Sequence, residues 1–255
     1  MDRRITLLSL LFFLAAIFYA SVGFGGGSSY LALLVLWGLP YAMIPVIALI
    51  CNIVVVSGNS VHYVRAGYVN WRLLLPPAIA SIPMAYLGGR LVIGEEVFIL
   101  LLLAVLSISG IRLLINFRQY DDNLESYKAI PLWLGSLIGA ILGFMAGVVG
   151  IGGGIFLAPI LYSLRAGSPK QIAATASVFI LVNSIAGLLG QWQKHDVIDI
   201  IVSYWYLPII VLVGGQIGNV LTIKFIPTRI IVLMTALLIL FVAARLGWHS
   251  WFSVV

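Results

Sequence analysis

Hydrophobic residues run through this chain in long, uninterrupted tracts. Long tracts without Asp, Glu, Lys or Arg cover residues 5–61, 97–111, 129–164, 171–193, 200–223 and 230–244. Several of them exceed the roughly 20 apolar residues with which a helix spans a bilayer. A membrane β-barrel would instead alternate apolar and polar positions along each strand. The pattern therefore predicts an all-α integral membrane protein.

Short polar or glycine-rich connections divide these tracts into similar elements in each half of the chain. The helices predicted for the first half cover residues 5–22, 28–37, 43–61, 73–92 and 97–115. Those predicted for the second half cover residues 131–148, 155–164, 171–191, 200–223 and 229–246. We expect a first transmembrane repeat at residues 1–115, a polar linker at 116–130 and a second transmembrane repeat at 131–255.

A glycine cluster interrupts the apolar sequence at the same place in each half. The sequence GFGGGSSYLALL, which begins at Gly23, aligns with GIGGGIFLAPIL, which begins at Gly150, 127 positions later. Further pairs recur with small gaps, namely Asn52 with Asn183, Ala85 with Gly214, and Gly89 with Gly218. A duplicated four-segment unit explains these matches. Repeats with interrupted helices at corresponding positions indicate a secondary transporter.

The contiguous glycines predict a break in the first helix of each repeat. Each glycine costs a helix interior about 1 kcal/mol relative to alanine. Close helix packing does not explain three in a row, because successive residues point around the helix and only one can face a given neighbour. An unwound segment followed by a short helix presents backbone N–H groups and a positive dipole end, which together bind anions.

Composition and charge agree with a membrane protein. The chain is 62% hydrophobic and 9% charged, with a mean hydropathy of +1.16, whereas about 25% of residues are charged in soluble domains. The net charge of +6 comes from basic residues in short connections. The positive-inside rule explains that placement better than nucleic-acid binding does. The single cysteine, Cys51, lies in an apolar tract and can form no internal disulfide.

The predicted topology depends on how each glycine break is counted. If each broken element crosses the membrane once, there are about eight spans, and both termini lie in the cytoplasm. Nine of the 14 basic residues then share the cytoplasmic side, namely Arg3, Arg4, Arg65, Arg72, Arg112, Arg118, Lys128, Lys194 and Arg245. If each element turns back as a re-entrant hairpin, the repeats are inverted, and the same nine-to-five balance places the termini outside. Parsimony favours eight spans with cytoplasmic termini.

Uncharged polar residues supply the chemistry within the predicted spans. No charged residue interrupts the span cores, and the three histidines lie at predicted span ends. We therefore predict no enzyme activity, catalytic residue, metal site or cofactor. The candidate substrate-binding residues are the glycine loops and nearby polar side chains: Gly25, Gly26, Gly27, Ser28, Asn52, Gly152, Gly153, Gly154, Thr175, Ser177 and Asn183. Ser57, Ser184 and Gln191 are interpreted as contacts between helices.

The two glycine motifs, the run KQIAATAS at residues 170–177 and the internal duplication resemble the TauE/SafE family of sulfite exporters. The resemblance covers nearly the whole chain. It implies an inner-membrane transporter of sulfur-containing oxyanions that is coupled to the proton gradient. By the same resemblance, Gly152, Gly153, Gly154, Pro159, Thr175 and Ser177 are functional residues. The first half departs from the pattern at Ala32, which aligns with Pro159, and at residues 45–52.

The sequence thus predicts a secondary transporter that moves a small sulfur oxyanion, sulfite or an organosulfonate, by alternating access. An anion channel that uses the paired glycine loops as a filter is the alternative. The expected partners are the small anion and the lipid bilayer, and no nucleic acid. One chain holds both halves of a pathway, so either a monomer or a homodimer is compatible with this function.

Overall fold

A computed structural model of the chain describes residues 3–40, 43–91, 127–193 and 197–225, together with isolated positions between 103 and 115 and between 230 and 248. All regular secondary structure in these residues is helical. The helices are α1 Arg3–Ser21, α2 Gly27–Leu36, α3 Ile44–Arg65, α4 Trp71–Arg90, α5 Leu132–Val149, α6 Gly154–Ser163, α7 Pro169–Gln191, α8 Val197–Ser203 and α9 Tyr206–Phe225. By length and composition, α3, α5 and α7 are able to cross a membrane.

Most of the predicted helices that fall in the described residues are present within a few residues of their expected bounds. One prediction is wrong, because residues 200–223 form two helices, α8 and α9, with a turn at Tyr204 and Trp205. Pro208 explains the break, since it has no N–H to donate to the carbonyl of Tyr204 and its ring clashes with that carbonyl. The helices predicted at 97–115 and 229–246, and most of the linker, lie outside the described residues.

Both glycine clusters reverse the direction of the chain. In the first half α2 returns alongside α1, where the ring of Tyr30 stacks on Phe12 with centroids 4.7 Å apart. In the second half Gly153 lies against α5, because a Cβ on Gly153 would lie 3.0 Å from the Cβ of Ala146. The backbone N–H of Lys128, before α5, donates to the carbonyl oxygen of Arg165, beyond α6, at 3.0 Å. Each broken element therefore forms a hairpin.

Left-handed backbone at matching glycines makes these reversals. The φ angle is +84° at Gly23 and +82° at its counterpart Gly150. It is +92° at Gly26 and +78° at Gly153, and each of these two glycines directly precedes a short helix. Residues with a side chain rarely adopt such angles. Glycine is thus required here by the turn, in addition to any role in binding.

The corresponding helices α3 and α7 run antiparallel. Near the start of α3, Leu49 lies 3.7 Å from the position of a Cβ on Gly187, late in α7. Farther along α3, the hydroxyls of Ser60 and Ser177 are 3.3 Å apart. Beyond the end of α3, Lys170 in the first turn of α7 donates to the hydroxyl of Tyr68 at 3.4 Å.

Glycines and other small residues hold the remaining helices in close, parallel pairs. On α5, Gly139, Gly143 and Gly147 face the backbone of α4 at Pro77, Ser81 and Ala85. On α9, Gly214 and Gly218 face the backbone of α1 at Phe13 and Ile17 in the same way. Small residues four apart let helix backbones approach closely in membranes. The first helix of each half therefore packs on the fourth of the five helices predicted for the other half.

This packing predicts the effect of a single methyl group at Gly143. A Cβ at this position would lie 2.5 Å from the Ser81 carbonyl oxygen. We expect Gly143→Ala to destabilise the protein by about 1–3 kcal/mol, although helix propensity alone favours alanine by roughly 1 kcal/mol. Thermal unfolding in detergent measures the difference. Gly187→Ala is the matched control, since its nearest contact of 3.4 Å is ordinary. Equal stability of the two variants would contradict the packing.

Candidate functional site

The side chain of Asn52, on α3, lies between the two glycine loops. Its Nδ2 donates a hydrogen bond of 3.1 Å to the carbonyl oxygen of Ile151 in the second loop. Its carboxamide also fills the space beside Gly25 and Gly27, where a Cβ on either glycine would collide with it. Asn52 is fully buried. The two loops, 127 positions apart in sequence, therefore meet at one side chain.

A second asparagine of α3, Asn59, donates a hydrogen bond to the first glycine loop. Asn59 donates from Nδ2 to the carbonyl oxygen of Phe24 at 3.5 Å. Phe24 and Ile151 occupy equivalent positions in the two glycine motifs. Asn52 and Asn59 are seven residues apart, which places them on the same face of a helix two turns apart. One face of α3 thus supplies donors to matching carbonyls of both unwound segments.

The two loops differ in the side chains that surround them. In the first loop the hydroxyl of Tyr19 lies 2.9 Å from Ser28 Oγ and accepts a hydrogen bond of 2.9 Å from Ser29. The counterparts of the two serines in the second loop are Ile155 and Phe156, both buried and apolar. The start of α2 is therefore rich in hydroxyls, whereas the start of α6 is lined by hydrocarbon.

Several buried polar atoms around the loops have no hydrogen-bond partner. Those beside loop glycines are Tyr30 Oη, Asn52 Oδ1 and Ser184 Oγ. Asn59 Oδ1, Thr175 Oγ1 and Asn183 Oδ1, on α3 and α7, are also without a partner. The nearest of the hydroxyls to a loop is that of Ser184, 2.7 Å from the position of a Cβ on Gly152. A buried polar atom without a partner costs about 1–3 kcal/mol. These atoms and the first N–H groups of α2 and α6, which a helix leaves unpaired, give the region unused capacity to bind a polar ligand.

The structure brings together only part of the predicted site. Gly25, Gly27, Asn52 and Gly152 are neighbours, and Ser28 is the second residue of helix α2. Gly26, Gly153 and Gly154 make the turns into the short helices, and a Cβ on Gly154 would meet Ile180. Ser177 instead contacts Ser60, and Asn183 donates to the Phe179 carbonyl oxygen of its own helix at 2.8 Å. Thr175 is fully buried, and its hydroxyl is one of the unpaired groups named above.

Sequence reasoning did not name Tyr19 or Ser60, left Asn59 out of the candidate site, and interpreted Ser184 only as a contact between helices. The seven-residue spacing of Asn59 from Asn52 is a signal that would have found it. Ser184 directly follows Asn183, and only the rotation of α7 decides which of the two faces Gly152. Among the described residues, no group of three or more His, Cys, Asp and Glu side chains is placed to hold a metal ion.

The amino-acid sequence is similar to a family of membrane proteins and to several of its members. The family model described as "Sulfite exporter TauE/SafE" matches residues 8–246. The chain is 31% identical, over 97% of its length and 100% of the relative, to the "Probable membrane transporter protein y4hK" of Sinorhizobium fredii. It is 26% identical to a "Probable membrane transporter protein" of Xylella fastidiosa, over 91% of each chain.

A more distant relative is the "Probable membrane transporter protein MJ0441" of Methanocaldococcus jannaschii, which is 25% identical over 72% of this chain and 71% of the relative. No solved structure matches the chain.

The contact between Gly152 and Ser184 predicts a stability difference between two glycines with similar backbone. Gly152 has a φ of +80° and Gly38 a φ of +74°, but nothing lies within 4 Å of a Cβ on Gly38. Both alanine variants are strained by the left-handed backbone, while Gly152→Ala also collides with Ile180 and Ser184. We expect Gly152→Ala to be less stable than Gly38→Ala by about 1–3 kcal/mol. Thermal unfolding checks this, and partial rescue by Ser184→Ala should accompany it.

Proposed function

The chain belongs to the sulfite exporter TauE/SafE family, and we propose that it is a secondary transporter that moves a small sulfur-containing oxyanion across the cytoplasmic membrane. Its relatives are named as membrane transporters, and its described helices include three that are apolar and long enough to span a bilayer. The observation that carries the proposal is the meeting of both glycine loops at Asn52. Sulfite and organosulfonates are the proposed substrates.

The proposed binding site consists of neutral donors. Backbone N–H groups at the start of α2 and α6, the hydroxyl of Ser28 and the carboxamide of Asn52 would contact the oxyanion. The helix dipoles add positive potential at both loops. No Asp, Glu, Lys or Arg lies near these residues in sequence. Binding without a full countercharge favours a monoanion and lets the substrate leave as readily as it enters, as transport requires.

The helix directions support inverted repeats with re-entrant hairpins. Arg65 ends α3, Lys170 lies in the first turn of α7, and the contact of Lys170 with Tyr68 brings those two ends together. The backbone N–H of Lys128 donates a hydrogen bond of 3.0 Å to the carbonyl oxygen of Arg165, so these two residues lie side by side. With Arg72 at the start of α4, these basic residues define one cation-rich end. The positive-inside rule then places this end in the cytoplasm.

This orientation reverses the expected position of the N-terminus. Gly23, just beyond α1, packs against Ala173 near the start of α7, so α1 runs towards the cation-rich end. The start of α1 therefore lies at the opposite, external end. The described helices of the two proposed repeats, at residues 1–115 and 131–255, would thereby be related by inversion, as in transporters that bind substrate between their halves.

The binding region is closed in this conformation. Asn52 is fully buried, and the residues of both glycine loops are buried as well. A transported anion can reach it only after the loops separate from α3 or from each other. Alternating access is the transport mechanism that such a closed, central site supports. The proton that couples transport would be carried by the substrate itself, since no Asp or Glu lies within the cores of the predicted spans to act as a proton carrier.

Replacing Asn52 by leucine tests this site. The variant keeps a similar volume but removes the hydrogen bond to Ile151 and the polar group between the loops. We expect the uptake of labelled sulfite into proteoliposomes to fall at least about tenfold, the loss of roughly one good hydrogen bond. Ser57→Ala is the matched control, because Ser57 bonds only to the carbonyl of Ile53 in its own helix. Undiminished uptake in a well-folded Asn52→Leu protein would overturn the assignment.

Coupling to protons separates a transporter from an anion channel. For a transporter, we expect uptake that saturates with sulfite concentration and accelerates when a pH gradient is imposed across the vesicle membrane. A channel would instead give large unitary currents in planar bilayers that are insensitive to the pH gradient. Such currents would contradict the proposed transport mechanism. They would instead support the alternative, an anion channel in which the glycine loops act as the selectivity filter.

A further inference from the structure

A cavity of about 720 Å³ opens at the cation-rich end, apart from the closed site at Asn52. Its walls are formed by the first halves of α4 and α5, by α6, by the segment before α5 and by residues around the start of α7. Residues that line it include Arg72, Pro76, Lys128, Ile138, Leu157 and Leu161. Small-molecule sites typically measure about 300–1,000 Å³. The volume therefore suffices for a small oxyanion with part of its water shell.

The electrostatic character of this cavity favours anions. Among the described residues that line it, the charged side chains are Arg72 and Lys128, both cations and both exposed. Helices α4, α5 and α7 begin at this end and α6 ends there, so three positive dipole ends and one negative end lie around its mouth. The polar side chains of Asn70 and Gln171, which also line it, cap helices α4 and α7. Arg72 and Lys128 are thus the charged side chains that an incoming ligand would meet among the described residues of the cavity.

The inner end of the cavity lies close to the second glycine loop. Leu157 lines the cavity and follows Gly154 by three residues on α6. Three residues correspond to roughly 4.5 Å along a helix axis. The cavity therefore extends from two cations at the surface to within about one helical turn of the proposed binding loops, between walls that are mainly apolar.

We propose that this cavity is the vestibule through which a small oxyanion travels between the cytoplasm and the second glycine loop, with Arg72 and Lys128 attracting it. This inference rests on the proposed transport function. The cations stay at the mouth, where water screens them, and the inner wall is hydrocarbon. The vestibule therefore concentrates the anion without holding it, which accelerates capture and permits release.

Cysteine accessibility tests the vestibule independently of transport. In Ile138→Cys, the new thiol is placed on the half-buried cavity wall of α5, and wild-type protein, in which Cys51 is buried, is the blank. We expect an anionic methanethiosulfonate reagent to label this thiol from one side of the membrane about tenfold faster than a cationic one. Adding Arg72→Gln and Lys128→Gln should abolish the preference. Leu137→Cys, exposed on the same helix but outside the cavity, should show no such preference.

Transport kinetics provide the second measurement. In proteoliposomes at low ionic strength, the double Arg72→Gln and Lys128→Gln variant should raise the KM for sulfite about five- to tenfold and leave kcat unchanged. High salt should shrink this difference, because it screens exposed charges. Arg90→Gln is the matched control, since Arg90 ends α4 and lies over the ring of Tyr86 at the other end. It should leave the KM unchanged when sulfite is presented at the cation-rich end.

Three results would contradict the assignment of this cavity as a vestibule. They are equal labelling of Ile138→Cys by both reagents, an equal effect of Arg90→Gln, and a KM change that appears only in vesicles containing anionic lipid. The last result would assign the two cations to lipid headgroups. If the wild-type protein transports no sulfur oxyanion while the charge-selective labelling persists, the proposed function fails, and the cavity remains an anion-attracting site of another process.

Discussion

The fold depends on the need to satisfy unwound backbone inside an apolar bundle. In lipid, an open N–H or carbonyl group has no water to bond, so irregular backbone is stable only where protein groups or a cavity satisfy it. The two asparagines of α3 meet part of this need, since Asn52 and Asn59 donate to equivalent carbonyls in the second and first loops. Helix α3 is therefore the element around which both hairpins are arranged.

Glycine also allows the backbones of neighbouring helices to pack closely. The hairpins require left-handed backbone at Gly23, Gly26, Gly150 and Gly153. Different glycines, such as Gly143 on α5 and Gly218 on α9, bring each first helix against the partner helix of the other half. Neither set can be exchanged for alanine without a change in the turn or in the interhelical distance. One residue type thus supplies both the breaks and the contacts that fix their position.

The internal repeat predicted much of this arrangement, and its limits have physical causes. The matching motifs predicted two glycine breaks, and both are present with matching φ angles. Sequence alone did not decide between a single crossing and a hairpin, because the direction of α2 depends on contacts such as Tyr30 with Phe12. The repeat also suggested equal roles for Asn52 and Asn183. The rotation of α7 instead turns Asn183 towards its own backbone at Phe179 and presents Ser184 to Gly152.

The loops are related in backbone but differ in chemistry, and that difference bears on how an anion is handled. Hydroxyls of Tyr19, Ser28 and Ser29 surround the start of α2, whereas Ile155 and Phe156 follow the second loop. An oxyanion would be bound more strongly at the first loop, because hydroxyl donors there add to the helix dipole. The apolar second loop is then suited to passage. In the proposed transport function, unequal contacts at the two loops would allow both capture and release of the anion within one neutral site.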